Sequence, residues 1–350
     1  MSPHFLLYGA NGYTGTLIAT EAIKRGLRPL LAGRDFNKLE TLAATLGLEH
    51  RAFSLEDATA IETALQNVPV VLHCAGPFSH TSKPMVEACL RTKTHYLDIT
   101  GEVNVFEAIA ALDAEAQTAG VMLMPGVGFD VVPSDCLAAH LKAQLPTATQ
   151  ITLAFQAGQM SRGTATTMVE NQHRGGLIRR GGVLTPVPAA WKTRAIDFGQ
   201  GPVLATTIPW GDVSTAFYST GIPDIEVYMA VESNIYWAMV ASRYLGGLLG
   251  LDAVQRFQKR LIQKGAPGPT ELERTKGTTR FWGEVIDTQG KQRVSQLQCP
   301  EGYTLTAMTA LAVVEKVLAH HVRNGFQTPS RVYGADLILE IDSVVRSDLN

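Results

Sequence analysis

The sequence has little charge to offer a charged partner. Of its 350 residues only 18% are Asp, Glu, Lys or Arg, and 30 basic against 32 acidic side chains leave a formal net charge of −2. That balance excludes a basic nucleic-acid footprint and an acidic tail as organising features. Cysteine is also scarce. Cys74, Cys89, Cys136 and Cys299 form no C-x-x-C pair and stand at no metal-ligand spacing with the histidines, so no metal site and only reduced, mostly buried thiols are expected. No window holds the roughly 18 uninterrupted apolar residues that a membrane span needs. H-E-x-x-H and G-x-S-x-G are both missing, which removes zinc-protease and serine-hydrolase readings. Met1-Ser2-Pro3-His4-Phe5 has no cationic start and no small-residue cleavage site, so a cytoplasmic protein is expected.

Apolar residues make up 45% of the chain, and its length suits two domains of ordinary size. The first third alternates short apolar runs with helical spacing. Phe5 to Tyr8, Pro29 to Ala32, His50 to Phe53, Val70 to Leu72, Tyr96 to Ile99 and Val121 to Met124 read as strands. Helical patterns lie between them and stop at Gly26, Gly47 and Gly120, residues suited to end a helix. Strand and helix in alternation, with continuously apolar strands, predict a doubly wound, parallel Rossmann-type α/β sheet covered on both faces. The predicted organisation is residues 1–125 for this domain, 126–301 for a second domain, and 302–350 for a C-terminal segment.

The turn after the first strand is Gly9-Ala10-Asn11-Gly12-Tyr13-Thr14-Gly15, spaced G-x-x-G-x-x-G. Glycines there let the backbone approach a pyrophosphate, and amides at the start of the next helix bind that anion. Following a strand and opening a helix, the motif has the context that a dinucleotide fingerprint requires. A site for NAD would place an acid at the end of the second strand. Here Gly33-Arg34 stands instead, leaving room for a 2′-phosphate and offering a guanidinium to hold it, so NADP(H) is the expected cofactor. Asp35 either opposes that phosphate or caps the next helix. Ser54 and Leu55 follow the third strand and would lie near the adenine. Cys74-Ala75-Gly76-Pro77-Phe78 ends the fourth strand, where ligands bind in open sheets, and Pro77-Phe78 would wall the nicotinamide side.

After Pro125 the simple alternation stops. Ile151 to Phe155, Ile225 to Val231 and Leu337 to Leu339 read as strands, and Ser134–Gln144, Ile235–Leu245 and Ala253–Ile262 as helices. A second α+β domain built on a largely antiparallel sheet is the economical prediction, serving substrate binding and homodimerisation. Gly265-Ala266-Pro267-Gly268-Pro269 is the expected mobile segment, followed by the charged stretch Glu271 to Arg280. The apolar stretch from Asn234 to Leu251 is interrupted by Arg243 and too short to span a membrane. It suits a buried or dimer-interface helix, or else a lipid-facing or acyl-binding helix in peripheral contact with lipid.

None of the nine tyrosines is followed four residues later by lysine, which removes the commonest carbonyl-reductase arrangement on this type of sheet. The motifs at Gly9–Gly15, Ala32–Arg34 and Cys74–Phe78, with Tyr96-Leu97-Asp98-Ile99-Thr100-Gly101-Glu102 and Pro125-Gly126-Val127-Gly128-Phe129-Asp130, resemble the saccharopine dehydrogenase-like oxidoreductases. Ser161-Arg162-Gly163-Thr164, Gly268-Pro269 and Pro300-Glu301-Gly302-Tyr303-Thr304-Leu305-Thr306 are similar to its short branch, which includes trans-acting enoyl reductases of bacterial lipid and polyketide synthesis. The resemblance spans nearly the whole chain. It implies an NADP-dependent dehydrogenase fold and a helix after Gly302 that returns to the nucleotide domain.

Three functions then stand open. The first reduces an enoyl C=C bond in an acyl or lipid-type small molecule, and the second acts on the C=N bond of an amino-acid or imine substrate. The third senses NADP(H) without turnover. Hydride addition to an enoyl group needs a hydrogen-bond donor for the developing oxyanion and an acid for the α-carbon. Asp98, Thr100, Glu102 and Asp130 all follow strand ends, and Asp130 and Glu102 are the candidates for acid/base or substrate-orienting roles. Each could instead cap a helix. Tyr303 is a further candidate proton donor. An amino-acid substrate would draw on Arg162, Arg174, Arg179, Arg180, Lys192 and Arg194 to hold its carboxylates.

Overall fold

The structure, a computed structural model, describes residues 4–349, so residues 1–3, at the head of the stretch read for a leader, lie outside the described residues. The chain divides into two compact units, residues 1–132 with 303–333 and residues 133–302 with 334–350.

The first unit begins with β1 (Phe5–Tyr8), α1 (Tyr13–Lys24), β2 (Pro29–Gly33), α2 (Phe36–Leu46), β3 (His50–Ala52) and α3 (Ala58–Leu65). It continues with β4 (Val70–His73), α4 (Phe78–Thr92), β5 (His95–Asp98), α5 (Val103–Ala110), α6 (Asp113–Ala119) and β6 (Met122–Met124). Every residue of β1, β2, β4 and β6 is buried, as expected of parallel strands with helices on both faces. The strands lie in the order β6-β5-β4-β1-β2-β3, all parallel, with Leu7 of β1 level with Leu31 of β2 and Leu72 of β4. The order reverses between β1 and β4. At such a switch the flanking helices leave on opposite faces, and a crevice opens at the carboxyl ends of the strands.

The second unit holds α7 (Val132–Gln144), β7 (Ala148–Gln156), α8 (Arg162–Asn171), β8 (Gly176–Arg180), β9 (Val183–Val187), β10 (Thr193–Asp197) and β11 (Pro202–Thr207). There follow α9 (Asp212–Thr220), β12 (Asp224–Ala230), α10 (Ser233–Leu249), α11 (Asp252–Lys264), α12 (Glu271–Lys276), β13 (Thr278–Asp287) and β14 (Gln292–Pro300). Its sheet is antiparallel except where β12 runs parallel to β7. One side of it packs Ala154, Ile196, Phe198, Ala205, Tyr228 and Trp282 into a core cluster. The charged stretch from Glu271 to Arg280 is α12, opened by a reciprocal cap between Thr270 and Glu273, and the start of β13.

The C-terminal segment is shared. α13 (Gly302–Leu318), β15 (Gly325–Phe326) and α14 (Pro329–Tyr333) fall in the first unit from Tyr303 onward, and β15 adds a seventh parallel strand beside β6. α13 buries Leu305, Ala310, Leu311, Val313 and Val314. β16 (Val345–Leu349) closes the second sheet against β14. The strand expected at Leu337 to Leu339 is instead a 3-10 turn that buries Leu337 and Ile338. A run of three apolar residues sets no period, and here burial is achieved by a turn.

Candidate functional site

The glycine turn is built by close backbone approach. Gly9 has φ +82°, and a Cβ there would lie 2.8 Å from the Ala75 amide nitrogen. A Cβ on Gly15 would meet the Gly9 carbonyl oxygen and lie 2.8 Å from Ala10 Cα. Gly33, at the end of β2, leaves space that the Asn11 carboxamide fills, since a Cβ there would be 2.9 Å from Asn11 Oδ1. Gly9 and Ala10 both donate their amides to the Ala32 carbonyl, and Gly12 donates to Gly9. The turn is thereby fixed before Tyr13 and Thr14 begin α1. Gly12, the N-cap of α1, supplies no side chain to the amides of the first turn. Such amides have no acceptor within the helix and present partial positive charge, which is what a pyrophosphate needs.

Arg34 is exposed, and no described residue hydrogen-bonds or ion-pairs with its guanidinium. It is near enough to Tyr8 for its charge to act on that phenol, whose pKa burial pushes up to about 12 and Arg34 draws back. Asp35 is spent elsewhere. It is the N-cap of α2, accepting from the Lys38 amide at 3.2 Å and pairing with the Lys38 ammonium at 3.0 Å, and the Lys38 backbone hydrogen bond and its partners hold its carboxyl below the usual range. The end of β2 therefore offers one uncommitted cation beside a neutralised acid. Ser54 and Leu55 follow β3, both half-buried, with Ser54 Oγ accepting from the Glu56 amide at 3.2 Å.

On the other side of the switch, Cys74 donates its amide to the Tyr8 carbonyl, and burial, with the Asp98 charge, pushes its thiol well up. Burial thus holds the Cys74 side chain as the neutral thiol. Thr81, one turn into α4, donates to the Ala75 carbonyl at 2.7 Å and fixes the Ala75–Pro77 turn. His73 stands 3.0 Å from Thr81, fully buried, and burial lowers its pKa to about 3, so it is neutral. Neither residue was singled out from sequence. A threonine four residues after Pro77 was the available signal.

The carboxylates after β5 are engaged with backbone. Asp98 is fully buried and accepts from the Thr100 and Gly126 amides at 2.9 Å and from the Tyr96 hydroxyl at 2.7 Å. Burial nevertheless raises its pKa to about 6. Glu102 reaches across to α4, accepting from the Phe78 amide at 2.7 Å and the Ser79 amide at 3.2 Å. It is the N-cap of α5 by position, yet its side chain closes the start of α4. Asp130 is half-buried, and its carboxyl lies over Gly101, where a Cβ would come within 2.8 Å of Cγ. Phe129, beside it, donates its amide to Thr306 of α13 at 3.0 Å. Tyr303, at the head of α13, packs edge-on against Tyr13 with ring centroids 5.1 Å apart, so α13 brings its first turn to the glycine turn. Gly9–Gly15, Arg34, Cys74–Pro77, Glu102 and Asp130 thus each follow the carboxyl end of a strand of one sheet, and Tyr303 packs on Tyr13.

Of the six candidate cations of the second unit, four are bonded to acceptors. Arg194 forms a two-pronged pair with Glu284 at 2.7 and 2.9 Å and stacks over Trp282. Arg179 donates to the Val213 and Gly182 carbonyls and covers Phe217. Lys192 pairs with Glu226, Arg162 caps the Gly265 carbonyl, and Arg180 stacks on Trp191. Arg174, the last residue of a 3-10 turn, is exposed. Sequence reasoning also missed two fully buried carboxyls in this unit. Asp135 accepts from the Ser219 hydroxyl, and burial, with the Asp135 charge adding, raises Asp212 to about 8.

Comparison with known proteins adds a likeness over the first unit. Residues 5–124 match the family model of the saccharopine dehydrogenase NADP-binding domain. Over 138 residues the chain is 35% identical to a trans-acting enoyl reductase of Mycobacterium leprae, covering 37% of this chain and 33% of that protein. Over 154 residues it is 25% identical to a saccharopine dehydrogenase-like oxidoreductase of Bos taurus, covering 38% of this chain and 35% of the relative. The chain therefore spans about a third of the length of the curated relatives it matches. Among solved structures, apo saccharopine dehydrogenase (L-Glu forming) of Saccharomyces cerevisiae superposes with a TM-score of 0.67 at 11% identity, covering 100% of both chains. That likeness concerns the fold. With the glycine cradle, the uncapped start of α1 and Arg34, the first unit fits the group that the matching family model names, NADP(H).

Proposed function

We propose, from the match of residues 5–124 to the family model of the saccharopine dehydrogenase NADP-binding domain, that the protein is an NADPH-dependent oxidoreductase reducing the C=C bond of an enoyl substrate of lipid or polyketide type. When bound, NADPH supplies a hydride to the β-carbon, while the α-carbon gains a proton and the C=C bond becomes a single bond. Gly12, Tyr13, Thr14 and Gly15 hold the pyrophosphate through the turn and the start of α1, and Asn11 and Gly33 lock that turn to β2. Arg34 takes the 2′-phosphate, with Ser54 and Leu55 beside the adenine. Cys74 to Pro77 form a neutral wall for the nicotinamide. Asp130 is assigned to hold and pass the proton that the α-carbon takes. Glu102 is a positioning residue, acting through the start of α4 on Pro77 and Phe78.

The enoyl reading over an amino-acid one is supported by the occupancy of four of the six candidate cations, with Arg174 and Arg180 left without an acceptor among the described residues. A substrate with two or more carboxylates needs uncommitted arginines, and Arg179 and Arg194 already serve acceptors within their own unit. In this reading the protein works in the cytoplasm as a homodimer, which light scattering at assay concentration checks. The deciding experiment is NADPH oxidation against enoyl thioesters and, in parallel, against imines and amino acids. Turnover of the enoyl set, lowered about a hundredfold or more in Asp130→Asn, is expected of a lost proton-transfer group. Turnover confined to imines or amino acids would overturn the enoyl assignment, and binding of NADPH without turnover of either set would make the protein a cofactor-sensing regulator.

A further inference from the structure

The helices of a folded domain normally turn their apolar stripe inward. α10 and α11 expose apolar residues on their outer side as well. Neither has a fully buried residue. α10 exposes Trp237 (64%), Tyr244 (86%), Leu245 (47%) and Leu248 (53%), with Ala238 and Ala241 also exposed. Those positions recur at three- and four-residue spacing and so share one face. That face carries no charge. α10 has no acidic residue, and its single cation, Arg243, donates to the Ala189 and Ala190 carbonyls at 2.7 Å.

α11 is held by polar contacts on its inner side, where Lys259 pairs with Glu170 at 2.5 Å and Gln258 accepts from Gln172 at 2.6 Å. Its outer side shows Phe257 (62%) and Leu261 (52%), with Arg256, Arg260 and Lys264 exposed along their flank. By contrast, the first unit exposes only Ile23 and Phe36 among its large apolar side chains in the described residues.

We infer that α10 and α11 form a docking surface for an anionic lipid bilayer, with Trp237, Tyr244, Leu245, Leu248, Phe257 and Leu261 entering the headgroup boundary and Arg256, Arg260 and Lys264 facing the lipid phosphates. The charge selects the partner. In a chain of net charge −2, this outer face gathers three cations against Asp252 at the start of α11. A second copy of the same face would bring cation to cation. A protein partner would be ordered by hydrogen bonds, on the order of one per 100–200 Å², and the α10 face offers almost none. A bilayer asks only for apolar area, amphipathic aromatics and long basic stems. No helix among the described residues is long and apolar enough to cross a membrane, so the contact is peripheral. The inference is independent of which double bond is reduced.

The test is flotation of the full chain with phosphatidylcholine vesicles, with and without phosphatidylglycerol. Partition into the anionic vesicles is expected, weakened by salt. It should fall more than about tenfold in the double variant Arg256→Glu with Arg260→Glu, and likewise in Phe257→Asp. NADPH binding and the melting curve of these surface variants should match the wild type, which excludes misfolding. Failure to partition into anionic vesicles at low salt would overturn the inference, as would partition that ignores both variants. Concentration-dependent self-association abolished by Trp237→Asp, without vesicle binding, would assign the face to a second copy and overturn it too.

Discussion

The two sides of the switch between β1 and β4 treat their backbone amides in opposite ways. On the β4 side, protein carboxylates close the strand ends. Glu102 takes the Phe78 and Ser79 amides, and Asp98 takes those of Thr100 and Gly126. On the β1 side the first turn of α1 receives no side-chain cap, although α2 and α3 in the same sheet are capped by Asp35 and Asp57. A carboxylate at a helix start satisfies the same donors that a phosphate would. α5 and α6 also start without a side-chain cap, so what sets α1 apart is the close glycine turn that leaves an outside anion room to approach its amides. The same contrast explains the lone guanidinium. Asp35 is drawn onto α2, which leaves Arg34 as the cation at that edge.

The strongest way to break the contrast is to fill the open side. Gly15→Val places side-chain atoms against the Gly9 carbonyl and Ala10, backbone that cannot yield without moving the turn. NADPH affinity, read by quenching of protein fluorescence, should fall more than about a hundredfold, about 3 kcal/mol. Unchanged affinity would show that the turn is not the anion site. A smaller effect sharpens the comparison at its rim. Arg34→Ala should weaken NADPH about ten- to a hundredfold, the range of a charge-assisted hydrogen-bonded pair, and leave NADH within about twofold. Equal losses for both cofactors would remove the 2′-phosphate assignment.

Most of the first unit could be read from sequence because its physics is local. Parallel strands covered on both faces are continuous apolar runs such as Phe5 to Tyr8 and Val70 to Leu72, and glycine punctuates the turns. The second sheet was harder to read. β13 and β14 carry Arg280, Glu284 and Arg293 among apolar residues, and their ten- and nine-residue hairpin was not anticipated. Its stability lies in pairing across the sheet, as where Arg194 bonds Glu284 and stacks on Trp282. Such partners are set by tertiary register and leave no periodic trace. In the site, the choice for Asp35 between opposing a phosphate and capping α2 could be posed from sequence, since its cap partner is three residues away. The destination of Glu102 could not. A cap on α5 was the local expectation, while Phe78, the residue it binds, lies 24 positions upstream.

That displaced cap yields the smallest of the expected effects and the one that best separates structure from chemistry. Glu102→Gln keeps one acceptor oxygen for the Phe78 amide but removes the negative charge from the start of α4. A lost cap of this kind costs roughly 0.5–2 kcal/mol, so the melting temperature should drop by a few degrees while NADPH affinity holds. If Glu102 acts only through α4, turnover should follow the fraction folded, and a substitution elsewhere of equal cost should lower it equally. If instead kcat collapses while the melting temperature stays within a degree of wild type, the carboxylate must leave the Phe78 and Ser79 amides during turnover. The β4 side would then be closed only at rest, and the contrast between the two sides would describe the resting protein alone.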